Sequence, residues 1–176
     1  MSTYPRFVLG RYSWLLVVLV LAFNLWGTLQ SAYNYPPGLT TQFNPVTQVD
    51  QRSMPALMAF LRQSGELYGY TNYWVAYPLA FLSAEELVYI PRLPYHQDFR
   101  YTRRDNRYPP YGDQVSQAHR VSYITTGNPP LDEYLRARFT SLGTVWKEIW
   151  IGDFHVFHEL SKPIRPEDIG LGMTTP

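Results

Sequence analysis

The chain has 176 residues, 45% hydrophobic, 16% aromatic and 16% charged, with a formal net charge of +1 and no cysteine. That length suits one folded unit, and the lack of cysteine excludes a disulfide scaffold, a thiolate metal site and a cysteine nucleophile. A net charge so close to zero supplies no global field for nucleic acid, so no nucleic-acid partner is expected.

The first element is the most informative. Residues 12–49 contain no Asp, Glu, Lys, Arg or His, and 14–23 form an unbroken apolar run. Wound as a helix, 12–29 is about 27 Å long, close to the hydrocarbon thickness of a bilayer, which predicts one transmembrane helix. A cleaved signal peptide would share the basic start and the apolar centre. The small residues of a cleavage site are missing, however: Ala32 is preceded two positions earlier by Gln30, and Gly27 by Leu25. The reading is therefore an uncleaved anchor in the cytoplasmic (cell) membrane. Arg6 and Arg11 put residues 1–11 in the cytoplasm and the remainder outside. Tyr12, Trp14, Trp26 and Tyr33 resemble interfacial anchors, and Asn24 is the candidate contact to another membrane helix. Near the outer interface Asn24 would find water instead.

Residues 30–52, rich in Pro, Asn, Thr and Gly, read as a linker. The folded part is expected over 53–160. Ser53 is a candidate N-cap for a helix carrying Met54, Leu57, Met58 and Leu61 at helical spacing and closed by Gly65. A strand is expected at 68–71, then a helix at 74–83 in which Pro78 is tolerable in the first turn, then a strand at 87–90. Beyond a Tyr/Pro/Arg loop come a short helix at 113–119 and a strand at 121–125. Asn128 caps a helix whose apolar face is Leu131, Tyr134, Leu135, Phe139 and Leu142, with Gly143 as its stop and Asp132 and Arg136 paired on its outer side. This alternation predicts a small, three-layer-like α/β domain with short parallel strands. Gly152-Asp153 then suits a type II′ turn joining 144–151 to 154–160 in a C-terminal β-hairpin with one apolar face. Residues 161–176 read as an irregular tail.

The chemical motifs are sparse. His155 and His158 match no zinc-binding helix pattern, and in a strand residues three apart face opposite ways. No nucleophile elbow, P-loop or GxGxxG occurs, so no catalytic residue, metal ligand or cofactor is assigned. The best binding candidate is the loop DFRYTRRDNRYPPY, where Arg100, Arg103, Arg104 and Arg107 stand among tyrosines. Guanidinium forks bind phosphate bidentately, which points to an anionic lipid head group or a polyprenyl-phosphate, although Asp98 and Asp105 compete for the same charges. The aromatic group Tyr68, Tyr70, Tyr73, Trp74 and Tyr77 would either stack on a sugar or pack internally.

The order MPALMAFLRQSG, YGYTNYWVAYPLAFLS, a strand, RYPPY, another strand and IGDFHVFHEL resembles the extracytoplasmic C-terminal region of GT-C-type membrane glycosyltransferases, the group that includes protein mannosyltransferases. The likeness spans about residues 13–160. It implies sugar transfer from a polyprenyl-phosphate donor beneath a bundle of membrane helices, with catalytic acidic residues in an early external loop. With one such helix and no such loop here, the resemblance implies an outer domain without the catalytic part. The expected function is accordingly a single-pass, non-catalytic accessory or interaction subunit of a larger membrane protein complex, contacting other integral membrane proteins and the lipid bilayer. Its rivals are a subunit of a split glycosyltransferase and a binding module for glycan or lipid-linked sugar.

Overall fold

The computed structural model describes residues 13–34, 46–96 and 98–172. The chain divides into two compact units, 1–41 and 42–176. The first contains α1, Ser13–Asn34, which has no charged residue and runs five residues past the expected end at Leu29. It is long and apolar enough to cross a membrane, and the side chains of 14–33 are exposed or, at Ser31, half-buried. Asn24 Nδ2 donates to Val20 O at 2.7 Å, so one of its two donors is met by its own helix rather than by a neighbouring one.

The second unit is α/β. Its helices are α2 (Met54–Ser64), α3 (Tyr73–Leu82), α4 (Pro109–Gln117) and α5 (Pro129–Ser141), and its strands are β1 (Tyr68–Thr71), β2 (Val88–Pro91), β3 (Ser122–Thr126), β4 (Lys147–Ile151) and β5 (Phe154–His158). The sheet order is β2-β1-β3-β5-β4. β1 is parallel to β2 and β3, whereas β5 is antiparallel to β3 and β4. The strands expected to be parallel, β1 to β3, are so, and the expected hairpin joins the same sheet through β5, which makes the sheet mixed. A two-residue turn obliges β5 to reverse, and β5 lies between β3 and β4. Gly152 takes φ 59° while Asp153 stays out of the left-handed region, as a type II′ turn requires, and the register pairs Ile151 with Phe154 and Trp150 with His155 as expected.

Alternation along the strands sorts the core into two layers. Tyr70, Val88, Ile90, Tyr123 and Phe157 face α4, α5 and the C-terminal segment, while Tyr89, Ile124, Phe154 and Val156 face α2 and α3. The expected apolar face of the hairpin, Ile149, Ile151, Phe154 and Val156, packs on the core, and β5 is buried on its other face as well because it is an interior strand. Between β1 and β3 the backbones need a glycine: a Cβ at Gly69 would lie 2.1 Å from Ser122 O and 2.5 Å from the Tyr89 ring.

Four local expectations are corrected. Ser53 makes no capping hydrogen bond; the cap belongs to Asp50, whose carboxylate accepts from Arg52 N at the head of a 3-10 turn leading into α2. Pro78 sits in the second turn of α3, where its missing N–H leaves Trp74 O without a helical donor, and Gln51 Nε2 approaches that oxygen at 3.5 Å. Asp132 is buried and does not pair with Arg136, which binds Glu148 instead. The tail is not irregular throughout: Pro166–Ile169 form a 3-10 turn, and Ile164, Ile169 and Leu171 are buried beneath it, with Tyr123 Oη donating to Ile164 O and Tyr134 Oη to Ile169 O. The end of the expected linker also packs, since Thr47 and Val49 are buried.

Candidate functional site

In open α/β sheets ligands bind outside the carboxyl ends of strands whose following loops diverge to opposite faces. Here that place lies between β1 and β3, because β1 leads into α3 on one face and β3 into α5 on the other. Asn72 caps α3 by accepting from Trp74 N at 3.0 Å, and its Nδ2 donates to Thr126 Oγ1 at 2.7 Å. Thr126 Oγ1 donates in turn to Val46 O at 2.8 Å, and Asp50 N donates to Asp153 Oδ2 at 2.8 Å. The chain's own segment 46–50 therefore occupies the crevice. What remains open beside it is a hollow of about 300 Å³ lined by Gln48, Thr126, Gly127, Trp150, Gly152 and Asp153.

Trp150 closes a polar network behind that hollow. His155 is fully buried, its Nε2 hydrogen-bonds to Glu148 Oε2 at 3.0 Å, and its Nδ1 lies 3.0 Å from Asp132 Oδ2, out of line for a hydrogen bond. Thr125 Oγ1 donates to the other oxygen of Asp132. Glu148 also accepts Arg136 Nε and Nη2 at 3.0 and 2.7 Å and the Trp146 indole at 2.8 Å. Burial alone would raise the Glu148 carboxyl, but the Arg136 guanidinium and Trp146 indole outweigh it and hold the group down to about 2. The network links β3, α5, β4 and β5 and leaves the imidazole no access to an external substrate, so its chemistry is that of a strut. His158 faces the opposite side of β5, edge-on to Phe60 at 5.0 Å, and burial pushes its imidazole below the usual value. Among the described residues no three His, Asp or Glu side chains are grouped as metal ligands.

The four loop arginines are not gathered around one point. Arg100 pairs with Asp98. Arg107 lies 4.9 Å over the Tyr73 ring, and its backbone N–H donates to Tyr77 Oη at 2.7 Å. Arg103 and Arg104 project from an exposed 3-10 turn, Arg103–Asp105, and neither joins any ion pair among the described residues. Asp105 is pulled inward, and burial raises its carboxyl above the usual range.

A second concavity was not foreseen. A cleft of about 390 Å³ lies over the β1–β2 side of the sheet, between α4 and the C-terminal 3-10 turn, with Tyr70, Arg92, Asn106, Asp113, Arg165 and Glu167 on its walls. Arg92 Nη2 is 3.2 Å from Glu167 Oε1, and Arg165 Nη2 donates to Ser116 O at 3.2 Å. Burial, aided by the nearby Glu167 charge, pushes the Tyr70 phenol up to about 12, so it remains a neutral donor. Arg92 directly follows β2, where the strand-end rule points, but Arg165 lay in the supposed tail and had no local signal. Of the aromatic group, Tyr70 is buried in the core and Tyr68 packs against it, which favours internal packing over sugar stacking at those two rings. No family model, curated protein or solved structure matches the chain.

Proposed function

We propose that the chain is a single-pass membrane protein acting as a non-catalytic accessory or interaction subunit of a larger membrane complex, with residues 1–11 inside the cell and the α/β unit outside. The observation that carries this reading is α1: a charge-free apolar helix, long enough to cross a bilayer and with its side chains exposed among the described residues, needs lipid or other membrane helices around it. Two features of the α/β unit support the non-catalytic part. The strand-end crevice is filled by residues 46–50, and the buried His155 network is closed behind Trp150.

The test is extraction of the full chain from its native membranes. It should resist an alkaline wash, dissolve in mild detergent, and bring unrelated integral membrane proteins in fixed ratio, identified by mass spectrometry. Release by the wash, or sugar transfer by the chain purified alone, overturns the proposal.

A second reading, a subunit of a split glycosyltransferase, is favoured by the cleft, whose walls carry both Arg92 and Arg165, side chains of the kind that bind phosphate. Under that reading the co-purifying partner is a polytopic protein carrying acidic residues in an external loop, and the pair transfers sugar from a polyprenyl-phosphate donor.

A further inference from the structure

The helix α3 has the composition of a buried element and the position of a surface one. Its sequence, YWVAYPLAFL, contains no charged side chain and no side-chain polar group beyond the tyrosine hydroxyls and the Trp74 indole N–H. Val75, Ala76, Leu79 and Ala80 face inward and are buried. The outward rows, Tyr73-Tyr77-Phe81 and Pro78-Leu82, are apolar as well, and Phe81 and Leu82 are 82% and 54% exposed. The other helices of the unit present polar residues to water: Arg62 and Gln63 on α2, Asp113 and Gln114 on α4, Glu133 and Arg138 on α5. A helix that is apolar all round is covered by something.

What flanks α3 indicates what covers it. Tyr77 Oη donates to Asp105 O at 2.9 Å and accepts from Arg107 N, which pins residues 103–107 alongside the outward row. The Arg107 guanidinium stacks on Tyr73, and Arg103 and Arg104 are exposed and form no ion pair among the described residues. The nearest acidic residues at the end of α3 are engaged: Glu85 accepts from Tyr111 Oη at 3.0 Å, and Glu86 binds Arg62 at 2.7 Å. A bulky apolar tip rimmed by tyrosine and exposed arginine is the pattern of a surface that lies in the headgroup zone of an anionic bilayer. Residues 35–45, which separate the end of α1 from Val46, reach at most about 40 Å when fully extended, so a membrane-embedded α1 tethers the unit within that distance of the lipid.

We propose that the outer face of α3 docks on the bilayer, with Phe81 and Leu82 inserted among the acyl-chain ends and Arg103, Arg104 and Arg107 on lipid phosphates. The proposal rests on α1 being membrane-embedded. Since the chain has no cysteine, full-length Phe81→Cys, Val145→Cys and Leu21→Cys variants each take a single nitroxide label. They are reconstituted into phosphatidylcholine–phosphatidylglycerol vesicles and read by electron paramagnetic resonance with oxygen, which partitions into lipid, and a water-soluble nickel chelate.

The expected result is a label at 81 that responds to oxygen and loses access to the chelate, as the label at 21 does, while the label at exposed Val145 keeps full chelate access. Replacing Arg103 and Arg104 by Gln in the Phe81→Cys background should return part of that access. A label at 81 as aqueous as that at 145, with the label at 21 in lipid, overturns the docking and leaves the anchor standing. Protection of 81 from both reagents assigns the face to a second copy of the chain and equally overturns it. An aqueous label at 21 overturns the anchor reading and the docking with it.

Discussion

The rings of Trp150 and His155 lie 3.9 Å apart and within 8° of parallel, so the indole is a flat cover over an imidazole that has no exposed surface. The two residues are cross-strand partners in the hairpin. Their stacking lays the edge strand β4 over His155, which lies 3.0 Å from the buried carboxylate of Asp132 and hydrogen-bonds to Glu148 of β4 itself.

Replacing His155 by Ala strands Asp132 beside a void while its Thr125 contact persists. Removing one member of such a buried charged cluster costs about 3 kcal/mol or more. The check is urea denaturation of the detergent-solubilised chain. A loss below about 1 kcal/mol would mean that the network contributes little.

Glu148 gives a pH dependence with a definite sign. Its carboxyl is held near 2 in the folded protein against an ordinary value of 4.5. A depressed folded value means the stabilisation is complete above about 4.5 and fades as the pH falls toward 2. In denaturation midpoints measured across that window, the native chain should converge on a Glu148→Gln variant as the pH falls. A constant gap would show that the Arg136 pairing is not what sets the titration.

Gly69 and Gly112 should respond in opposite directions to alanine. At Gly69 the new Cβ meets Ser122 O at 2.1 Å and the Tyr89 ring at 2.5 Å, which forces β1 and β3 apart and costs about 3 kcal/mol or more. At Gly112, inside α4, nothing lies within 4 Å of the added carbon, and the gain in helix propensity is about 0.5–1 kcal/mol. Thermal melts of the two variants test both values.

Thr126→Val removes the hydroxyl that accepts from Asn72 and donates to Val46 O. Unpairing buried partners costs about 1–3 kcal/mol and should free residues 46–50 from the strand-end crevice. Amide hydrogen exchange should accelerate there and stay unchanged in α5. Unaltered exchange at 46–50 would mean that side-chain packing of Thr47 and Val49 holds the segment instead.

Much of the local structure was legible from spacing and punctuation. The strand at 68–71, the Pro129 start of α5 and the hairpin register around Gly152-Asp153 follow from nearest-neighbour chemistry, which a linear pattern records. The α/β character followed from alternation of those elements. The order of the strands did not, because β5 slots between β3 and β4 by a choice of partner that no local pattern encodes. Asp132 illustrates the same limit. Beside Arg136 on a helical wheel it reads as an outer charge, and its burial is decided by His155 and Thr125 arriving from other strands.

The candidate binding surface divides along the same line. That loop arginines stand among tyrosines is a fact of the linear order, but Arg100 turned to Asp98 and Arg107 to Tyr73, while Arg92 and Arg165 were brought to one cleft from residues seventy-three positions apart. The apolar length of α1 and the absence of charge around it belong to the linear chain, because hydrophobic span and helical rise are local quantities. Which carboxylates are buried, which crevice is filled and which helix face is left bare were settled by the pairing of distant segments. Those depend on long-range contacts whose energies exist only once the sheet has closed.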